Sequence, residues 1–203
     1  IPVYAFLFIP ARTALAGDYR RFLERAAKIQ AGLIVCVYTL SFAPAILYLD
    51  LQTQQGNAWV SWQGSPAGLL LYLIVIAQLN DVMQYVWGQL LGRRVIAPEI
   101  NASRTWEGFF CGIASTTLAG AVLWWVTPFT PWQSACISLV IALMGFAGSM
   151  TMSAIKRDRG VKDYGTLVEG HAGILDRIDS ICFAAPVFFH LTRYYFMIRP
   201  DLQ

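Results

Sequence analysis

Residues 153–179 read SAIKRDRGVKDYGTLVEGHAGILDRID, and where this stretch sits decides how the rest of the chain must fold. It holds five of the fifteen Lys and Arg (Lys156, Arg157, Arg159, Lys162, Arg177) and five of the twelve Asp and Glu (Asp158, Asp163, Glu169, Asp176, Asp179). Strongly apolar runs flank it on both sides. A solvated loop that fixes membrane topology is one reading of so much charge. The other is a site, because the two signs alternate, as they must where a metal and phosphates are held together. Asp176 and Asp179 are three apart with no Pro or Gly between them, so in a helix they share a face. Two such carboxylates suit a hard cation that bridges to phosphate oxygens. Lys156, Arg157 and Lys162 suit the phosphates themselves.

The chain has 203 residues, 57% hydrophobic and 13% charged. A soluble domain carries roughly 25% charged residues, so this composition means an integral membrane protein. The expected fold class is all-α, a polytopic transmembrane helical bundle with about five full spans: 29–49, 66–91, 107–126, 131–152 and 180–197. The apolar run 1–10 is too short to span alone and reads as the end of a helix begun earlier. Residues 11–28 fit either a short interfacial helix or a topogenic loop. An N-terminal membrane region, 1–65, and a catalytic membrane domain, 66–203, are the expected divisions. The four cysteines are scattered among apolar segments and read as small buried hydrophobes. A net charge of +3 gives no nucleic-acid partner to expect.

Basic residues are distributed unevenly. Segments 11–28, 92–106 and 153–179 hold thirteen of the fifteen Lys and Arg, whereas 50–65 and 127–132 hold none. The asymmetry predicts a cytoplasmic position for the three basic segments. The span 66–91 is apolar in its first half but carries Gln78, Asn80, Asp81 and Gln84 in its second. An ionisable group at such depth marks a site facing the protein interior, although an interhelical hydrogen-bonding cluster also fits.

Ser153, Lys156-Arg157, Lys162-Asp163, Gly165, His171, Gly173 and Asp176-Arg177-x-Asp179 resemble, in order and spacing, the signature of the CDP-diacylglycerol synthases, or phosphatidate cytidylyltransferases. Asp81, Tyr85, Gly92-Arg93 and Arg104-Thr105-Trp106-Glu107-Gly108 resemble a second motif of that family, which usually has Lys at the position of Arg104. Two further positions depart from the pattern. Ala172 stands where the family usually has Gly, and Ser149 stands where it usually has an Asp that ligates metal.

The resemblance implies a reaction between CTP and phosphatidate, giving CDP-diacylglycerol and pyrophosphate with Mg²⁺ and a second cation as candidate cofactors. It implies a bacterial inner-membrane enzyme, a site on the cytoplasmic face, and a homodimer as a further expectation. Asp176, Asp179 and Asp163 are the expected metal ligands, with Asp176, Asp179, Lys156 and Asp163 as the catalytic set. Arg157, Lys162, Ser153, His171, Asp81, Arg104, Thr105 and Glu107 are the expected substrate-binding residues. Ser149→Asp is expected to raise activity if the missing carboxylate is the defect. Two readings stand beside this one. Ser149 and Ala172 favour a catalytically altered or inactive paralogue binding a related phospholipid or nucleotide, and the intramembrane Asp81 fits a transporter.

Overall fold

Proline and threonine set the start of the longest helix. The structure is a computed structural model that describes residues 2–17, 21–55, 58–161 and 175–196. Thr130 caps the helix Pro131–Asp158 (α6) with a reciprocal pair: its hydroxyl accepts from Gln133 N and the Gln133 side chain accepts from Thr130 N. Pro131 fills the first turn, where the missing N–H costs nothing.

Before it, in chain order, come α1 (Pro2–Leu15), α2 (Phe22–Leu33), a π turn (Ile34–Tyr38), α3 (Phe42–Ala45) and a 3₁₀ turn (Ile46–Tyr48). The hairpin β1 (Gln52–Gln55) and β2 (Ala58–Ser61) leads into α4 (Pro66–Leu91). A second antiparallel hairpin, β3 (Val95–Ala97) and β4 (Asn101–Thr105), leads directly into α5 (Trp106–Val122). The last helix is α7 (Leu175–Phe196).

Among the described residues, four helical segments are long and apolar enough to cross a membrane: Phe22–Tyr48, Pro66–Leu91, Trp106–Val126 and Pro131–Asp158. α7, the expected fifth span, is 22 residues long, so it has the length. It carries Asp176, Arg177 and Asp179 at one end and Arg193 at the other, which dilutes its apolar character. The first span begins at Phe22 rather than at residue 29. Glu24 and Lys28 pair at i,i+4 and let the charged turns join the helix. The basic segment 11–28 is therefore neither one interfacial helix nor one loop; it holds the end of α1 and the start of α2. That first span breaks before Pro44, as expected where a proline ring meets the preceding turn.

α4 packs most extensively on α5, and α6 on α7. Ile46, Leu69, Leu73, Ile76, Ile141, Ala185 and Phe188 form the sealed centre, each under 2% exposed. Leu71, Val75, Phe110, Leu118 and Val122 remain on the outside, where a bilayer-embedded bundle keeps its apolar surface. Trp124, Trp125, Trp132, Tyr194 and Tyr195 are exposed at the end where Phe196 meets Phe129. Such an aromatic girdle suits a membrane–water interface. Asp81, Arg104, Lys156, Asp176 and Asp179 lie toward the opposite end, where α6 stops and α7 starts.

Candidate active site

The polar half of α4 and the hairpin β3–β4 together build one wall of a cavity. Pro98 occupies the second position of the turn Ala97–Ile100, closed by Ile100 N donating to the Ala97 carbonyl at 3.1 Å. Asn101 then accepts from Ser103 N and Oγ through its Oδ1 and reaches Ser153 Oγ on α6 at 3.4 Å. These contacts tie the hairpin to α6 and deliver Arg104 inward. Its Nη2 donates to Asp81 Oδ1 at 2.6 Å and to Ser149 Oγ at 2.9 Å, and its Nη1 donates to Gln84 Oε1 at 2.9 Å. Gln84 Nε2 donates to Asn80 Oδ1 at 3.0 Å, and Asn80 Nδ2 donates to the Ala142 carbonyl at 3.1 Å. Asn80 and Gln84 are essentially sealed, so the relay locks the acceptor that Gln84 offers to Arg104.

The opposite wall comes from α6 and α7. Lys156 Nζ donates to Asp176 Oδ1 at 2.7 Å, with the Asp176 side chain 8% exposed. Asp179 lies one turn on, buried, accepting from Ser180 N through Oδ1. It is near enough to Asp81, Lys156 and Arg104 to feel the charge of all three. Gly148 permits this approach, since a Cβ there would lie 2.7 Å from the Asp179 carbonyl oxygen.

Between the walls is a cavity of about 300 Å³ lined by Gln78, Asp81, Val82, Tyr85, Arg104, Ser149, Asp176, Arg177 and Asp179. Five of the residues singled out in the sequence thus share one space: Asp81, Arg104, Ser149, Asp176 and Asp179. Lys156 joins them through Asp176. Four others are engaged elsewhere. Thr105 caps α5 by accepting from Gly108 N, and Glu107 Oε2 accepts from the backbone of Arg93 and Arg94. Arg157 Nε donates to the Ile100 carbonyl at 3.1 Å, and Ser153 meets Asn101. These four brace the hairpin instead of lining the cavity. Lys162, Asp163, His171 and Ala172 lie outside the described residues.

Sequence reasoning assigned no site role to Gln78, Tyr85 or Arg177, all of which line the cavity. Gln78 Nε2 donates to the Arg177 carbonyl at 2.9 Å, across from α4 to α7. The signal was present: residues 78, 81 and 85 recur at three and four along one helix, the spacing of a shared face.

The donor set bears on the expected metal. Carboxylate and hydroxyl oxygens are the ligands a hard cation takes. Among the described residues no three Asp, Glu, His or Cys side chains converge closely enough to hold an ion by themselves. Asp176 and Asp179, one turn apart on one cavity wall, fit a Mg²⁺ ion held by one or two carboxylates, with water and phosphate oxygens completing its shell.

A family model described as "Cytidylyltransferase family" matches residues 2–195. The Escherichia coli K12 protein named "Uncharacterized protein YnbB" is 40% identical over 195 residues, which are 96% of this chain and 62% of that protein. A phosphatidate cytidylyltransferase from Synechocystis is 35% identical over 159 residues, 76% of this chain and 52% of the relative. One from Staphylococcus epidermidis is 31% identical over 183 residues, 85% of this chain and 70% of the relative. The chain therefore spans 62% and 52% of the lengths of the first two. A solved structure described as "Structural insight into an intramembrane enzyme for archaeal membrane lipids biosynthesis" is 25% identical, covering 58% of this chain and 77% of that one at a TM-score of 0.44. With a family match running from residue 2 to residue 195 and relatives at 31% to 40% identity, this chain belongs to the cytidylyltransferase family.

Proposed function

We propose that this protein transfers a cytidylyl group from CTP to phosphatidate, giving CDP-diacylglycerol and pyrophosphate. The observation that carries the reading is the cavity itself. Buried and half-buried carboxylates and cations, drawn from the two separated motifs, meet at the charged end of a membrane bundle. An oxygen of the lipid phosphate attacks the α-phosphorus of CTP, the bond between that phosphorus and the bridging α–β oxygen breaks, and pyrophosphate leaves. The attacking oxygen is already anionic, so no general base is needed, and catalysis lies in positioning and charge neutralisation.

Arg104, held by Asp81, Ser149 and Gln84, sets a fixed positive charge in the cavity wall that would offset the negative charge of the phosphates. Lys156 adds a second positive charge beside Asp176. Asp176 and Asp179 would hold Mg²⁺, which when bound supplies further neutralisation of the phosphates. Val82 and Tyr85 lie on the exposed face of α4 at the edge of the cavity, a route for a headgroup arriving from the bilayer. Lys162 and Asp163 are further candidates for the phosphate and metal shells, and His171 for a nucleotide contact. The distribution of Lys and Arg favours the cytoplasmic side, where CTP is available. The residues that line the cavity all fall within 66–203.

Purified protein in detergent, given radiolabelled CTP, phosphatidate and Mg²⁺, is expected to label lipid. Labelling is expected to vanish without a divalent ion. No label from CTP into any phosphatidate, under conditions where the protein stays folded, refutes the reading. A second reading, a paralogue with altered substrate, is favoured by Ser149 standing where the resembling family has Asp. It predicts label from CTP entering a different phospholipid acceptor.

A further inference from the structure

A second cavity, of about 230 Å³, lies between the first span and the end of α6, and it shares no lining residue with the first cavity. Its walls are apolar: Ala31, Gly32, Val35 and Cys36 on the first span, Met152 and Ile155 on α6. Lys28, Asp158 and Arg159 stand at one end. Both helices therefore grade the same way, from charge at residues 28 and 158–159 to apolar side chains at 36 and 152. At 1.5 Å per residue Cys36 lies about 12 Å below Lys28, most of the roughly 15 Å of one hydrocarbon leaflet. Gly32 keeps this space open. A Cβ there would meet nothing within 4 Å, whereas one at Gly112 or Gly148 would strike a neighbouring helix. Glycine inside a helix is destabilising, and no packing demand at residue 32 accounts for it. Ala26 is the one buried residue of α2, so the span leans on little protein here. At the charged end Arg21, Lys28 and Arg159 all lie near enough to Glu24 to act on its charge, and Arg159 stands 3.8 Å from Asp158. Three cations thus face two carboxylates. The Lys28 and Arg159 side chains are 40% and 49% exposed, open to a further anion.

We propose that this cleft holds one anionic phospholipid of the surrounding bilayer, with an acyl chain along Gly32, Cys36 and Met152 and its phosphate between Lys28 and Arg159. The cleft has the polarity of such a lipid, charged at the membrane surface and apolar below it. Water is a poor occupant, since the apolar walls offer it too few polar partners. A helix, about 10 Å across with its side chains, is too wide for a cavity of this volume, which takes a single hydrocarbon chain. Exposed Lys and Arg at the head of the cleft select an anionic headgroup over a zwitterionic one. The seated lipid fills the gap between the least buried span and the bundle, the place where protein packing is thinnest. This inference does not rest on the proposed reaction, because none of the cavity's residues takes part in it.

The test maps where a lipid chain lies. Phosphatidylglycerol carrying a diazirine midway along one acyl chain is added to the purified full chain in detergent, irradiated, and the labelled peptides are identified. Phosphatidylcholine and phosphatidate with the same chain are run in parallel. Phosphatidylglycerol is expected to label residues 31–36 and 152–155, at least about tenfold more than phosphatidylcholine does. Gly32→Leu fills the cleft without a clash and is expected to cut that label at least about tenfold. Label on the outward faces of α4 and α5 stays unchanged in that variant, and its melting temperature does not fall. Lys28→Gln combined with Arg159→Gln leaves the cleft open and is expected to bring phosphatidylglycerol and phosphatidylcholine within about threefold of each other. Equal label from those two lipids in wild type overturns the proposal, as does full label in Gly32→Leu or no label between the first span and α6. Label there from phosphatidate alone also overturns it, since the cleft would then seat a substrate chain. No arm of the experiment uses turnover, so its result stands whether or not the protein consumes CTP.

Discussion

Helix α4 carries two buried polar knots, and they are built on opposite principles. Near its start Tyr72 donates to Ser134 Oγ at 2.8 Å, and Ser134 Oγ donates onward to the Gly120 carbonyl at 2.7 Å. Every member is neutral, Tyr72 is 2% exposed, and the chain of bonds ends on a backbone acceptor. About two turns later Asp81, Gln84, Arg104 and Ser149 form a knot that is charged and opens on the cavity. Two helical neighbours, α5 and α6, meet α4 at the first knot; the hairpin joins them at the second. A neutral, closed knot is sufficient to register helices in an apolar medium. Buried charge costs far more and is retained where it meets a ligand.

The largest effect that contrast predicts is at the second wall of the cavity. Asp176→Asn removes the carboxylate that Lys156 faces at 2.7 Å, which is one of the expected metal ligands. Lipid labelling from CTP is expected to fall about 100- to 1,000-fold, with the purified protein still folded and monodisperse. Tyr72→Phe is the counterpart at the closed knot. It is expected to reduce stability by about 1 kcal/mol, measured by melting in detergent, and to leave labelling within about twofold. Comparable loss of activity in both variants would erase the distinction between the charged cavity and the closed knot.

Two glycines sharpen the same contrast at nearly equal structural cost. Gly112 faces α4 at the charged knot, and a Cβ there would stand 2.5 Å from Gln84 Cγ and 2.8 Å from Gln84 N. Gly120 faces the neutral knot, where a Cβ would strike Ser138 Cβ and lie 2.9 Å from Tyr72 Oη. Gly112→Ala and Gly120→Ala each force α5 away from its neighbours and are expected to cost about 1 to 3 kcal/mol. Only Gly112→Ala displaces Gln84, and with it Arg104. It is expected to cut labelling about tenfold beyond what Gly120→Ala does, measured at a temperature where both proteins are folded.

The spans of the bundle were legible because apolar length is a coarse quantity that survives ignorance of packing. The polar half of α4 was legible as one feature, but its division of labour was not. Asp81 reaches the cavity, while Asn80 and Gln84 lie behind it as a sealed relay, and side-chain type does not reveal which neighbour is near. The hairpin 95–105 falls in the segment 92–106, which the sequence marks as basic but not as strands. Three- and five-residue strands with a bulge between Val95 and Ala97 leave almost no alternation to detect. That hairpin is what turns a motif into a site, since it directs Arg104 inward and uses Thr105, Ser153 and Arg157 as braces. Spacing within a motif shows that residues act together, and it does not say which of them touch the ligand. The Arg104–Ser149 contact joins positions 45 apart, so no spacing within a motif could show it.

The smallest predicted effect tests where the boundary between bracing and catalysis falls. Glu107 belongs to a motif that the resemblance associates with substrate, and it sits at the charged end of the bundle. Yet its Oε2 accepts from Arg93 N at 3.1 Å and Arg94 N at 3.2 Å, which closes the turn between α4 and the hairpin. It also places a negative charge in the first turn of α5, where the helix dipole favours one. Glu107→Gln keeps an acceptor oxygen and loses only the charge. Labelling is expected to drop less than about fivefold, mostly through a raised KM for the phosphorylated substrates as the hairpin loosens its hold on Arg104. Glu107→Ala loses the acceptor too and is expected to fall further in the same parameter. A kcat loss in Glu107→Gln as deep as that of Asp176→Asn would put Glu107 among the groups that touch the reacting phosphates. Proximity to the cavity wall, rather than membership of a motif, is the property the two variants separate.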